Sequence, residues 1–146
     1  MVRRDAGDVR SQRSAVQARV EDTLTAVALN VLGSELEICC TSPMTGYYRN
    51  GCCDAAPDDA GVHTVCALMT EEFLRYSVMQ GNDLVTPMPQ YGFQGLVPGD
   101  RWCVCAPRWK EAFDAGFAPP VILEATHQYS LEFVTMDELR AHAAER

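Results

Sequence analysis

Residues 98–109 constrain the fold more than any other stretch of this chain. They hold both tryptophans and two of the seven cysteines. Pro98-Gly99-Asp100 is turn chemistry, because proline presets φ and glycine supplies conformations that other residues avoid. Residues 101–105 then alternate. On an extended chain Arg101, Cys103 and Cys105 share one face, and Trp102 and Val104 the other. Pro107 suits the first turn of a helix, where its missing N–H costs nothing. Trp109, Ala112 and Phe113 follow at helical spacing, and Gly116 is a C-terminal stop. The stretch therefore reads as turn, strand and helix. Two same-face thiols at i and i+2 lie too far apart for an unstrained disulfide on a regular strand, but both can reach a metal ion or a third thiol.

The chain is 146 residues long, which fits one domain with a core of its own. No apolar run approaches the roughly 20 residues of a membrane span. The N-terminus carries arginines without a continuous apolar segment or a cleavage site, so the expected location is cytoplasmic. The net charge of −8 is uneven. Residues 1–19 hold five arginines against two aspartates, and all the remaining excess charge is acidic. A body of that sign repels phosphate backbones, which argues against a nucleic-acid partner. Seven cysteines, an odd number, with no export signal, argue against a disulfide framework. Metal binding, catalysis, redox sensing or simple burial remain.

Read in order, residues 1–13 have the character of a disordered arm. Residues 14–30 carry Val16, Val20, Leu24 and Val27 at helical spacing. Residues 36–39 alternate as a short strand. Asn50-Gly51, between residues 47–49 and 52–53, is the favoured pair for a two-residue hairpin, which would set Arg49 opposite Cys52 and Tyr48 opposite Cys53. Residues 63–69 read as a strand. Thr70 caps a helix over residues 71–80, with Glu71 and Glu72 in its first turn. Residues 82–98, rich in glycine and proline, form a loop long enough to be a site wall or a core wrap. Residues 121–126 and 129–134 are strand candidates, and Thr135 caps a last helix from Met136. The expected fold is α+β: a single domain with a small mixed or antiparallel sheet and a hairpin, covered by three or four helices. Residues 1–29 form a peripheral arm and helix, and residues 30–146 the cysteine-rich domain.

Several motifs carry a resemblance. Asn30-Val31-Leu32-Gly33, Cys39-Cys40, Pro43 to Gly46, Tyr48 to Cys53, His63-Thr64-Val65-Cys66, Gly81 to Leu84, Pro98 to Cys105, Arg108-Trp109 and Leu123 to His127 occur in chain order. Together they make residues 30–143 similar to DUF2237, a family of small, mainly bacterial proteins of unknown function. Gln94 stands where the family pattern would carry proline. The resemblance implies no activity and no cofactor.

Three constellations can carry chemistry. The first is a thiol-lined site for a transition metal, zinc foremost, because thiolate and imidazole are its preferred ligands. The candidate ligands are Cys52, Cys53, Cys66, Cys103, Cys105 and His63, with Cys39 and Cys40 also in reach. Cys-x-x-Cys knuckles are absent, and residues adjacent on a strand point to opposite faces, so each vicinal pair offers one ligand at most. The competing reading is that each cysteine is a small buried hydrophobe. The second is a reactive thiol, Cys103 or Cys105, with Arg101 favouring the thiolate and His127 or His63 as base. The third is polar without thiols, Asp100, Glu124 and His127, with Glu124 expected to pair with Arg101 or Arg108; a separate reading is a non-catalytic module in which residues 82–98 grip a small molecule or a protein. Asp100 and His127 sit at element ends where sites assemble, yet each is more often structural. The partners this implies are a metal ion or a small molecule, with neither a membrane nor nucleic acid. Whether the protein is an enzyme stays open at this level.

Overall fold

The computed structural model describes residues 27–144. Two strands, β1 (Val65–Leu68) and β2 (Arg101–Val104), pair antiparallel with Val65 opposite Val104 and Cys66 opposite Cys103. Three helices accompany them: α1 (Glu71–Met79), α2 (Ala106–Ala115) and α3 (Met136–Ala141). The described residues thus form the expected α+β arrangement, with a two-stranded antiparallel sheet.

Each helix begins for a local reason. Thr70 Oγ1 accepts from the Phe73 N–H at 3.1 Å, and Glu71 and Glu72 meet the positive end of the dipole. Pro107 lies in the first turn of α2, which Gly116 closes at φ +88°. At α3, Thr135 and Glu138 form a reciprocal capping box, satisfying two backbone donors at once.

The sheet has two unlike faces. Val65, Ala67, Trp102 and Val104 point into the main core with Phe73, Leu74, Leu96, Trp109 and Leu139. Trp109 is fully buried, and its indole N–H donates to the Pro119 carbonyl at 3.1 Å. Cys66 and Cys103 point the other way, into a second cluster with Cys39, Cys53, Ile122 and Ala125. The alternation read from residues 101–104 is therefore what separates a hydrocarbon core from a sulfur core.

Four expected elements take another form. The chain over residues 47–53 turns but does not pair with itself. The Asn50 carboxamide oxygen accepts from the Cys52 N–H at 3.0 Å, and the Gly51 carbonyl accepts from Cys39 and Cys40. Side-chain and long-range partners thus take the groups that a hairpin ladder would use. Residues 36–39 form no strand; only Glu35 beside them makes a bridge, to Leu29. Residues 121–126 contribute a single bridging residue, Val121, before a 3-10 turn at Leu123–Ala125. There the Thr126 hydroxyl donates back to the Ile122 carbonyl at 2.9 Å, favouring a turn over extension. Residues 129–134 give a 3-10 turn at Gln128–Glu132, pinned by Ser130 Oγ at 2.7 Å from Thr64 Oγ1. An apolar or alternating pattern in so short a run does not separate these outcomes. Most of the helix expected over residues 14–30 lies outside the described residues.

Candidate functional site

The sulfur face of the sheet is the most concentrated chemistry in the described residues. Cys66 and Cys103 are directly opposed on β1 and β2. Their N–H groups point away from each other, to Thr126 Oγ1 at 3.1 Å and Thr45 Oγ1 at 2.8 Å. This is a non-hydrogen-bonded pair, the kind in which facing side chains come closest. Loop residues close over both. Cys39 is bonded to Cys66 and Cys53 to Cys103, with Cα separations of 5.8 and 5.3 Å. The Sγ atoms of Cys39, Cys53 and Cys103 also lie within 4.8 Å of one another. All four residues are at most 2% exposed.

Of the candidate ligands, Cys53 and Cys103 lie in the close three-sulfur group with Cys39, and Cys66 is joined to it through its bond to Cys39. One member of each vicinal pair enters the cluster: Cys39 and not Cys40, Cys53 and not Cys52. Cys40, Cys52 and Cys105 stay free and half-buried. Cys105 leaves the strand to become the residue before α2 and stays outside the sulfur cluster. Burial pushes the Cys105 and Cys52 thiols up, so neither is primed as a thiolate. The disulfides correct the expectation drawn from the odd count. Four of the seven cysteines pair because tertiary contacts, not sequence spacing, bring them together.

The remaining candidates are structural in their contacts. The Asp100 carboxylate accepts from the Val97 N–H at 3.0 Å and closes the turn before β2. His127 Nδ1 accepts from the Tyr129 N–H at 3.0 Å, and burial lowers its pKa from 6.5 to about 4, against a smaller opposing pull from Asp54. Arg101 sits half-buried opposite Leu68. His63 is outside the sulfur cluster, and its ring instead meets Asp59, with Nδ1 2.8 Å from the carboxylate. Asp59 also accepts from the N–H groups of Gly61, Val62 and His63, and its side chain is 2% exposed. A Cβ at Gly61 would fall 2.5 Å from His63 Cε1, so a larger residue there would push the ring from its place.

Beside the sulfur cluster lies a cavity of about 400 Å³, within the range of small-molecule sites. The loop over residues 82–98 supplies one wall through Asp83, Leu84, Met88, Tyr91 and Phe93. Gly46, Tyr47, Arg49 and His63 supply the other, and Trp102 and Cys103 also contribute. The loop both wraps and lines: Leu96 is buried in the main core while Tyr91 stands 74% exposed at the cavity. Tyr47 and Asp59 were not singled out as site residues from sequence, and Arg49 was read only as a cation facing Cys52. The one available signal was the local crowding of tyrosine, arginine and glycine around residues 46–51.

Fold and site together define a small cysteine-rich α+β protein with a buried four-sulfur centre next to an aromatic cavity. The family model for an uncharacterized protein conserved in bacteria, DUF2237, matches residues 29–143, and the chain belongs to that family. No curated protein matches the chain.

Proposed function

We propose that the four-sulfur cluster is a thiol–disulfide centre whose reduced form holds a transition-metal ion, zinc foremost. The supporting observation is the mutual approach of Cys39, Cys53 and Cys103 within 4.8 Å, with Cys66 bonded to Cys39. Four thiolates around zinc stand about 3.8 Å apart, given zinc–sulfur bonds of about 2.3 Å. Forming one four-thiol set would require both bonded pairs to part and Cys66, which stands outside the mutual 4.8 Å group, to move in towards the other three. The donor set is all sulfur, which selects zinc or another soft ion over magnesium or calcium.

The chemistry balances simply. Each disulfide takes two electrons and two protons from an external dithiol, which leaves as its own disulfide. An ion entering the reduced site displaces the thiol protons. Because all four sulfurs are buried, exchange requires the loop carrying Cys39 and Cys53 to open from the sheet. A reducing, cytoplasmic setting would favour the reduced, metal-holding form, and an oxidising one the two disulfides.

The test is elemental analysis coupled to thiol counting. Protein reduced with dithiothreitol, freed of reductant without air and given zinc is expected to retain about one ion per chain. The oxidised protein is expected to retain none, and Cys66→Ser or Cys103→Ser to lower uptake sharply. Reduced protein that takes up no zinc ends the metal half of the proposal. Disulfides that withstand dithiothreitol while the protein stays folded end the redox half, leaving both bonds as structural ties.

A further inference from the structure

The cavity beside the sulfur centre has features the cysteines do not use. Among the described residues, the chain departs from glycine at positive φ only twice, at Arg49 (φ 56°) and Val62 (φ 55°). Arg49 lines this cavity, and Val62, packed against the main core, is the residue before His63, which lines it too. Left-handed backbone is unfavourable for an arginine and more so for a β-branched valine, and such outliers collect where function holds them. Val62 immediately precedes His63, and its conformation delivers that ring to Asp59. Arg49 is turned so that its guanidinium carbon lies 5.2 Å from the Trp102 ring centre. One of its N–H groups donates to the Gly46 carbonyl at 2.6 Å. Stacked on the indole and tied at one end, the guanidinium is held in place with donors to spare.

The charge balance is informative. Arg49 is exposed, and no ion pair to it exists among the described residues, in a chain of net charge −8. Asp83, the carboxylate on the opposite wall, is turned into its own loop. It accepts from Val85 N–H, Thr86 N–H and the Thr86 hydroxyl. Asp59 is committed to His63 and its neighbouring amides. The cavity thus presents one uncompensated cation among flat rings. Tyr47 is stacked on His63 with their planes 20° apart, Phe93 is tilted against Trp102, and Tyr91 flanks them.

We infer that this cavity binds a small planar carboxylate, its anionic group held by Arg49 and its ring lying against the aromatic walls. A carboxylate matches the guanidinium fork in two parallel hydrogen bonds, which a point charge would not provide. His63, with Nδ1 facing Asp59, turns Nε2 outward to meet a hydroxyl or amine on the same ligand. The inference stands apart from the redox proposal, since Arg49, Trp102 and His63 are placed by backbone and ring contacts.

The experiment uses oxidised full-length protein and three probe acids: benzoate, salicylate and indole carboxylate, each with its neutral carboxamide as control. Binding is followed by chemical-shift changes at the side-chain N–H groups of Trp102 and Arg49. The expected result is saturable binding of at least one acid with about tenfold preference over its amide. That preference should vanish in Arg49→Gln and in Arg49→Asn, the latter a residue that tolerates positive φ. It should survive in part in Arg49→Lys. Absence of saturable binding by every acid up to about 10 mM, equal binding of acid and amide, or an undiminished preference in both neutral variants would each overturn the inference.

Discussion

Cys66 and Cys103 face each other across the sheet, yet each is bonded to a cysteine from a loop and not to the other. The sheet serves as a plate on which the segment around Cys39 and the segment around Cys53 are fastened side by side. With only two four-residue strands in the sheet, these ties replace much of the ladder that larger sheets use to fix loops.

The oxidised protein is expected to show three free thiols when denatured without reductant, those of Cys40, Cys52 and Cys105. After reduction all seven should react. Opening the Cys53–Cys103 link, which closes a loop of 50 residues, should lower stability by about 4 kcal/mol in the chain-entropy picture. Denaturant titration of a Cys53→Ala, Cys103→Ala double variant checks this without leaving a lone buried thiol.

Asn30 is fully buried and satisfies its carboxamide completely. Its Nδ2 donates to Ser34 Oγ and to the Glu35 and Glu124 carbonyls, while Oδ1 accepts from Leu32 and Ser34 N–H. Asn30→Asp keeps the shape but sets a carboxylate oxygen against the Glu35 and Glu124 carbonyls and buries a charge. A loss of about 3 kcal/mol or more is expected, read by urea unfolding at neutral pH. A change below about 1 kcal/mol would show that this hub is dispensable.

His127 predicts an acid-sensitive fold. Its pKa is lowered to about 4 in the native protein by burial, against an ordinary value near 6.5 when unfolded. Between those values the unfolded chain takes up a proton that the native chain refuses. The stability due to His127 is therefore full above about pH 6.5, falls as the pH drops towards 4, and levels off below that. The loss amounts to about 3 kcal/mol at most. His127→Asn, which keeps an acceptor for the Tyr129 N–H, should flatten this part of the stability profile. An unchanged slope would mean that other groups carry it.

Arg49 sets stability against binding. Replacing it with glycine removes the strain of left-handed backbone at an exposed position, at the cost of one hydrogen bond and the contact with Trp102. Arg49→Gly is expected to leave the melting temperature unchanged or to raise stability by up to about 1 kcal/mol. The carboxylate preference of the cavity should be lost at the same time. A large destabilisation would mean that Arg49 is a structural residue of the loop.

The parts of this protein legible in the sequence are those set by local rules. Thr70, Pro107, Gly116 and the Thr135–Glu138 pair mark the helix ends through hydrogen bonds and φ preferences that span only a few residues. The alternation over residues 101–104 likewise put Cys103 on the face opposite Trp102, because side-chain direction on a strand is fixed by parity. Parity does not reach the vicinal cysteine pairs, which lie in loops, so the entry of Cys39 and Cys53 into the cluster is set by tertiary contacts. The hairpin at Asn50-Gly51 and the strands at 121–126 and 129–134 did not follow the local signal. There the deciding partners were distant: Cys39 for the Gly51 carbonyl, and Thr64 for Ser130.

Sequence alone determined where helices begin and end, which face each strand residue takes, and that several thiols were available. Tertiary structure decided that Cys39 meets Cys66, that Cys53 meets Cys103, and that Arg49, Asp59 and His63 gather around one cavity. Those pairings span tens of residues through irregular loops. No short-range periodicity encodes them, and they arise only when loops close on a two-faced sheet.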